Sequence, residues 1–168
     1  MAFTTSSQIG VDLNNASATQ LFTLNQKVLG SDDSEWTYVI ATASITTGAF
    51  VYIAPQGTAN LMNAAYIAAA TAGANIGCAQ FTISAASYGF VAKRGSNLYA
   101  LVTGSLAPPA QVGFGSLGVI GTSLLMAAGA TAAGIFVWNS ANSATNSVVL
   151  GGLLTYPRTA LVTGVPAL

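Results

Sequence analysis

The sequence predicts an all-β fold: a sandwich or barrel of about eight to ten short strands, with one short helix fitting only the alanine-rich middle. Three observations carry this. Short runs rich in Val, Ile, Thr, Tyr and Phe recur between punctuating Gly, Ser, Thr and Asn residues. Within several runs the side chains alternate in the period of two that a pleated strand imposes. Finally, 52% of the 168 residues are apolar and only 5% are charged, a balance that supports a core and opposes disorder. A chain of this length fits one domain and buries roughly 70% of its unfolded surface.

Taken in order, residues 1–19 read as an extended N-terminal arm and 20–168 as a single β domain. "QLFTLNQKVL" (20–29) alternates as a strand, and "GSDDS" then turns the chain with side chains that bond locally to backbone. "EWTYVIATA" sets Trp36, Tyr38 and Ile40 against Thr37, Val39 and Ala41, and "AFVYIAP" follows after Gly48 until Pro55 stops it. Two successive strands joined at "SITTG" is the simplest arrangement. "ANLMNAAYIAAATAGANI" (59–76) fits a helix of about three turns or a strand through "AAYIAA". "IGCAQFTISA", "YGFVAKRG" and "NLYALVTG" are further strand candidates before the rigid "APPA" at 107–110. "GIFVWN" and "SVVLGGLLTYPR" close the set, with Pro157 unsuited to a central strand. No strict repeat period emerges, which weighs against a solenoid.

The charge pattern excludes several functions. The only carboxylates are Asp12, Asp32, Asp33 and Glu35, and there is no histidine. An imidazole base, a histidine-containing triad and an ordinary zinc site are therefore ruled out. Four basic residues, with only Lys93 and Arg94 adjacent, cannot make the many phosphate contacts of a nucleic-acid binder. Zero net charge leaves copies of the chain little mutual repulsion and favours association. The N-terminus lacks a basic start and an apolar stretch, so cytosolic synthesis is expected. Residues 111–138 are uncharged and long enough to cross a bilayer, but they contain many glycines and lack flanking Lys or Arg.

Candidate site residues are few. Asp32, Asp33 and Glu35 could hold a hard cation, but "SDDSE" lacks the alternating ligands of a calcium loop and reads better as a solvated turn; no metal and no cofactor are expected. Lys93 and Arg94, at a strand end before Gly95, either reach solvent or pair with the acidic turn of a neighbouring subunit and set register between copies. Cys78 reads as a small buried side chain. "GFGSLG" (113–118) lacks the lysine of a phosphate-binding loop, and no serine stands in a nucleophile elbow, so no enzyme activity is expected. The aromatic residues should mostly fill the core.

Three stretches carry a resemblance: "KVLGSDDSEWTYVIATASIT" (27–46), "IGCAQFTISAASYGFVAKRGSNL" (76–98) and "VVLGGLLTYPR" (148–158). Together they resemble the head decoration, or cement, proteins of tailed bacteriophages. Gly30, Asp32, Ser34, Trp36, Tyr38 and Val39 fit the first part of that pattern. Gly77, Ala79, Gln80, Tyr88, Gly89, Val91 and Gly95 fit the second, and Pro157 with Arg158 fits the close. Phe90 and Tyr156 stand where the pattern has tryptophan, and 56–72 has no counterpart. The resemblance implies a non-enzymatic all-β subunit, often a homotrimer, that binds the major capsid protein on the outer surface of the head. It would reinforce the shell by binding the assembled form alone. Phe3 and Ile9 in the N-terminal arm are the expected apolar anchors on the capsid.

The rival expectations are another virion building block (neck, tail or fibre subunit), a membrane protein spanning at 111–138, and an ice- or carbohydrate-binding module.

Overall fold

The computed structural model describes residues 11–30, 34–63, 65–66, 75–95 and 98–103, and the short segments 113–114, 120–121, 130–133, 147–150 and 158–161. The described part is all-β. Its centre is a closed five-stranded barrel made of β2 (Glu35–Ala41), β3 (Phe50–Ile53), β4 (Thr58–Leu61), β5 (Asn75–Cys78) and β6 (Tyr88–Arg94). Around the barrel the order is β2-β4-β3-β5-β6, and β6 returns to β2 to close it. A sixth strand, β1 (Lys27–Leu29), is added at β2.

Closure depends on β2, which uses both edges. One edge pairs antiparallel with β6 from Trp36↔Ala92 to Ile40↔Tyr88. The other edge is divided: β1 pairs antiparallel with residues 35–37, and β4 pairs parallel with Ile40 and Ala41. The expected pair joined at "SITTG" is thus corrected in its pairing. β2 and β3 are consecutive strands, but β4 lies between them, and Ile45 in their connection bridges to Ile83 instead.

Alternation divides the barrel's side chains into two apolar groups. Val39, Ala41, Val51, Ile53, Ala59 and Val91 form the inner cluster. A five-stranded barrel is narrow, so small residues must stand among the large ones. Gly77 shows the limit: a Cβ there would lie 2.8 Å from Val91 Cγ2. Trp36, Tyr38, Phe50, Ile76, Cys78, Phe90 and Ala92 form the outer cluster, where they meet Leu13, Val28, Leu98 and Ala100. Both faces of β2 are therefore covered, which explains why a strand of alternating pattern is buried almost throughout.

Two segments cover the outer face. Residues 11–24 lie across β2 and β6, with Leu13 only 1% exposed and Ser17 bridged to Tyr88. β7 (Leu98–Thr103) crosses near β5, and the Leu101 amide donates to the Gly48 carbonyl at 2.8 Å. Gly48 has φ +81°, and a Cβ there would be 2.8 Å from the Leu101 nitrogen, so turn and strand crossing both require glycine. β7 also joins β8 (Gly113–Phe114), β9 (Ile120–Gly121) and β11 (Ser147–Leu150) in the order β11-β7-β9-β8, while β10 (Ala130–Ala133) pairs with β12 (Arg158–Leu161).

The strand expected over 20–29 shortens to its last three residues, because Asn25 adopts φ +64° and breaks the extended run. Of the segment 59–76, expected to hold a helix of about three turns or a strand through "AAYIAA", Ala59–Leu61 belong to β4 and Asn75–Ile76 to β5, Ala65 and Tyr66 have helical backbone, and 64 and 67–74 lie outside the described residues. "GIFVWN" lies outside the described residues. Strands β8, β9 and β10 fall within 111–138 and interrupt any single helix there. Among the described residues no helix is long and apolar enough to cross a membrane.

Candidate functional site

The polar chemistry concentrates at one end of the barrel, where β1, β2, β5 and β6 meet. Between Trp36↔Ala92 and Glu35↔Arg94, β6 uses one residue more than β2, and Lys93 is that extra residue. A bulge of this kind interrupts pairing and redirects a side chain. Lys93 is consequently only 5% exposed, and its Nζ donates to Asn75 Oδ1 at 2.9 Å. Glu35, 7% exposed, receives Lys27 Nζ at 3.1 Å from the neighbouring strand.

Burial pulls the Lys93 ammonium down to about 8, the attraction of Glu35 opposes that shift, and the nearby Lys27 charge adds to it. As the pH approaches 8 a growing share of Lys93 is therefore free amine, held against a carboxamide and within the field of a carboxylate. Such a group is a better nucleophile than a solvated lysine.

A second feature lies on the outer face. Phe22 packs edge-on to Tyr38 with ring centroids 5.3 Å apart, and Tyr38 meets Phe90 at 4.9 Å. Above them a cleft of about 160 Å³ opens between Tyr88, Leu21 and the segment carrying Asp12 and Asn15. The Asp12 carboxylate accepts from the Asn14 amide and from Asn15 Nδ2, so it fixes the local turn.

The sequence-predicted residues have distinct fates. Glu35, Lys93 and Arg94 come together in one chain, with Glu35 and Arg94 as cross-strand partners. Lys93 does not reach solvent, because the bulge turns it into the barrel end. Asp32, Asp33, Phe3 and Ile9 lie outside the described residues. Cys78 is fully buried, its thiol donating to the Tyr99 carbonyl at 3.0 Å, and burial pushes it far above its ordinary range. Among the described residues no group of three or more Asp, Glu, Cys or His could hold a metal. Sequence reasoning missed Asn75 and the Phe22–Tyr88 cleft. Neither carries a motif, since Asn75 meets Lys93 across the pairing of β5 and β6 and the cleft forms where residues 12–22 lie over β2 and β6.

Among the described residues, several that carried the resemblance have identifiable packing roles. Trp36 Nε1 donates to the buried Ser34 Oγ at 2.6 Å, Gly77 admits Val91, and Gln80 binds the Tyr99 backbone. No known protein family matches the chain, and no curated protein and no solved structure matches it. What the fold defines is a class: a β-rich chain built on a small closed barrel with a buried lysine at one end.

Proposed function

We propose that this protein is a non-enzymatic virion component that binds the outer surface of an icosahedral phage head, contacts the major capsid protein and stabilises the shell as a homotrimer. The observation that carries this reading is that two of the resembling stretches fold as one unit. Residues 27–46 and 76–98 contribute β1, β2, β5 and β6, and β2 and β6 share the longest pairing in the barrel. Zero net charge with 5% charged residues further favours a life in assemblies.

The shell contact is assigned to the N-terminal residues, with Phe3 and Ile9 as apolar anchors. Leu13 fills the core, so a deletion that tests this must end before Val11. Lys93 and Glu35 are enclosed by their own chain, and register between copies passes to Asp32, Asp33 and Arg94.

The test is co-sedimentation of the purified chain with preassembled heads that lack it, followed by cryo-electron microscopy. Density on the outer shell at local symmetry axes is expected, with weaker binding after deletion of residues 2–10. A monomer that fails to co-sediment overturns the reading. Density confined to the neck, tail or fibres replaces it with a different virion role.

A further inference from the structure

We propose that Lys93 and Asn75 are the reacting pair of an intramolecular isopeptide bond that ties β6 to β5 across the barrel end, with Glu35 as the proton acceptor. Such a bond forms whatever the protein binds.

Placement comes first. Lys93 Nζ is already 2.9 Å from Asn75 Oδ1, and the amide carbon is one bond beyond that oxygen. Rotation of Asn75 about its Cβ–Cγ bond turns the face of the amide toward Nζ while Cγ stays in place, and the flexible Lys93 side chain closes the remaining distance. Holding amine and amide in this relation removes most of the entropic barrier that makes transamidation slow between free molecules. The bulge at Lys93 accounts for this placement, since a regular β6 would pair the residue in the ladder.

Protonation state comes second. An ammonium cannot attack, and burial favours the free amine. The charged groups facing Lys93 are Glu35 and Lys27, with Arg94 beside it on its own strand. Glu35, on the adjoining strand, is the carboxylate whose charge acts on Lys93, and it is assigned as the acceptor of the proton that Lys93 gives up.

The reaction balances without a co-reactant. Lys93 ammonium transfers one proton to Glu35, and the free amine attacks Asn75 Cγ to form a tetrahedral intermediate. The attacking nitrogen loses a second proton as the Cγ–Nδ2 bond breaks, and the departing nitrogen takes up both protons and leaves as ammonium. The products are a Cγ–Nζ amide and one ammonium ion, and Glu35 ends as the carboxylate it began as. Asn75 is exposed at the barrel end, so the ammonium has a route out.

The test is the intact mass of the folded, purified chain after incubation at mildly alkaline pH. A mass lower by one ammonia is expected, with the peptides carrying Asn75 and Lys93 remaining joined after chymotryptic cleavage between them at Phe81 and Tyr88. Asn75→Ala and Lys93→Arg should keep their full masses, and Glu35→Gln should slow the loss at least tenfold while remaining folded by circular dichroism. Full sequence mass in the folded wild type overturns the proposal. So does an ammonia loss that persists in Lys93→Arg, which would mark succinimide formation at an asparagine.

Discussion

Gln80 binds both polar backbone atoms of Tyr99: the Tyr99 amide donates to Gln80 Oε1 at 2.8 Å, and Gln80 Nε2 donates to the Tyr99 carbonyl at 3.1 Å. A side-chain amide here takes the place of a neighbouring strand's peptide and holds β7 at Tyr99, before its pairing with β9 begins at Val102. Removing it leaves the half-buried Tyr99 amide short of a partner and the carbonyl with the Cys78 thiol alone. Gln80→Ala should therefore destabilise the fold by about 1–3 kcal/mol. Chemical denaturation measures that loss, and hydrogen exchange at the Tyr99 amide should accelerate more than exchange in β2.

Gly48→Ala meets two penalties at one position. Its φ of +81° is strained for alanine, and the new Cβ would stand 2.8 Å from the Leu101 backbone nitrogen, which cannot rotate away. A loss of about 2–4 kcal/mol is expected from left-handed strain plus overpacking. A melting temperature unchanged from wild type would contradict the close crossing of β7.

Ala86 offers the opposite case. It adopts φ +58° in the turn before β6, where its amide donates to the Ala41 carbonyl at 2.8 Å. Glycine accepts this conformation without strain but has more freedom to lose on folding. Ala86→Gly should raise stability by up to about 1 kcal/mol, the relieved strain exceeding the added entropy cost. A fall in the denaturation midpoint would show that entropy wins.

Lys93 gives stability a pH dependence of defined sign. Its folded-state value lies near 8, below the 10.5 of an unperturbed lysine, so between those values the unfolded chain binds the extra proton. Stability should rise with pH across that window, and the burden on the folded state is greatest below about 8. In Asn75→Ala, whose amine cannot be acylated, unfolding free energy should climb from neutral to alkaline pH. Adding Lys93→Met should flatten that part of the profile, and the difference between the two chains separates Lys93 from the tyrosines.

Cys78 is fully enclosed, and burial keeps its thiol protonated. Iodoacetamide should leave it unmodified in the native chain and label it fully in denaturant. Rapid native labelling would mean that β7 opens readily from the barrel.

Much of the barrel was legible in the sequence because its strands carry their own pattern. Trp36-Thr-Tyr-Val-Ile and Phe90-Val-Ala alternate with β-branched and aromatic side chains, and that preference holds whatever the partners. β4 was not legible. "TANL" has little intrinsic strand preference, and it becomes a strand because the freed edge of β2 and the edge of β3 both need partners.

The candidate site was half legible: sequence singled out Glu35, Lys93 and Arg94 as its rare charges but directed Lys93 either to solvent or to a neighbouring subunit. By itself the sequence determined the β class, the absence of imidazole chemistry and the identity of the few charged groups, because composition and period-two alternation are local properties. Only the tertiary structure decided which way β2 closes, that a bulge turns Lys93 inward, and that Asn75 from a strand more than a dozen residues away receives it. Those outcomes depend on register, and register is set by the whole barrel closing on itself.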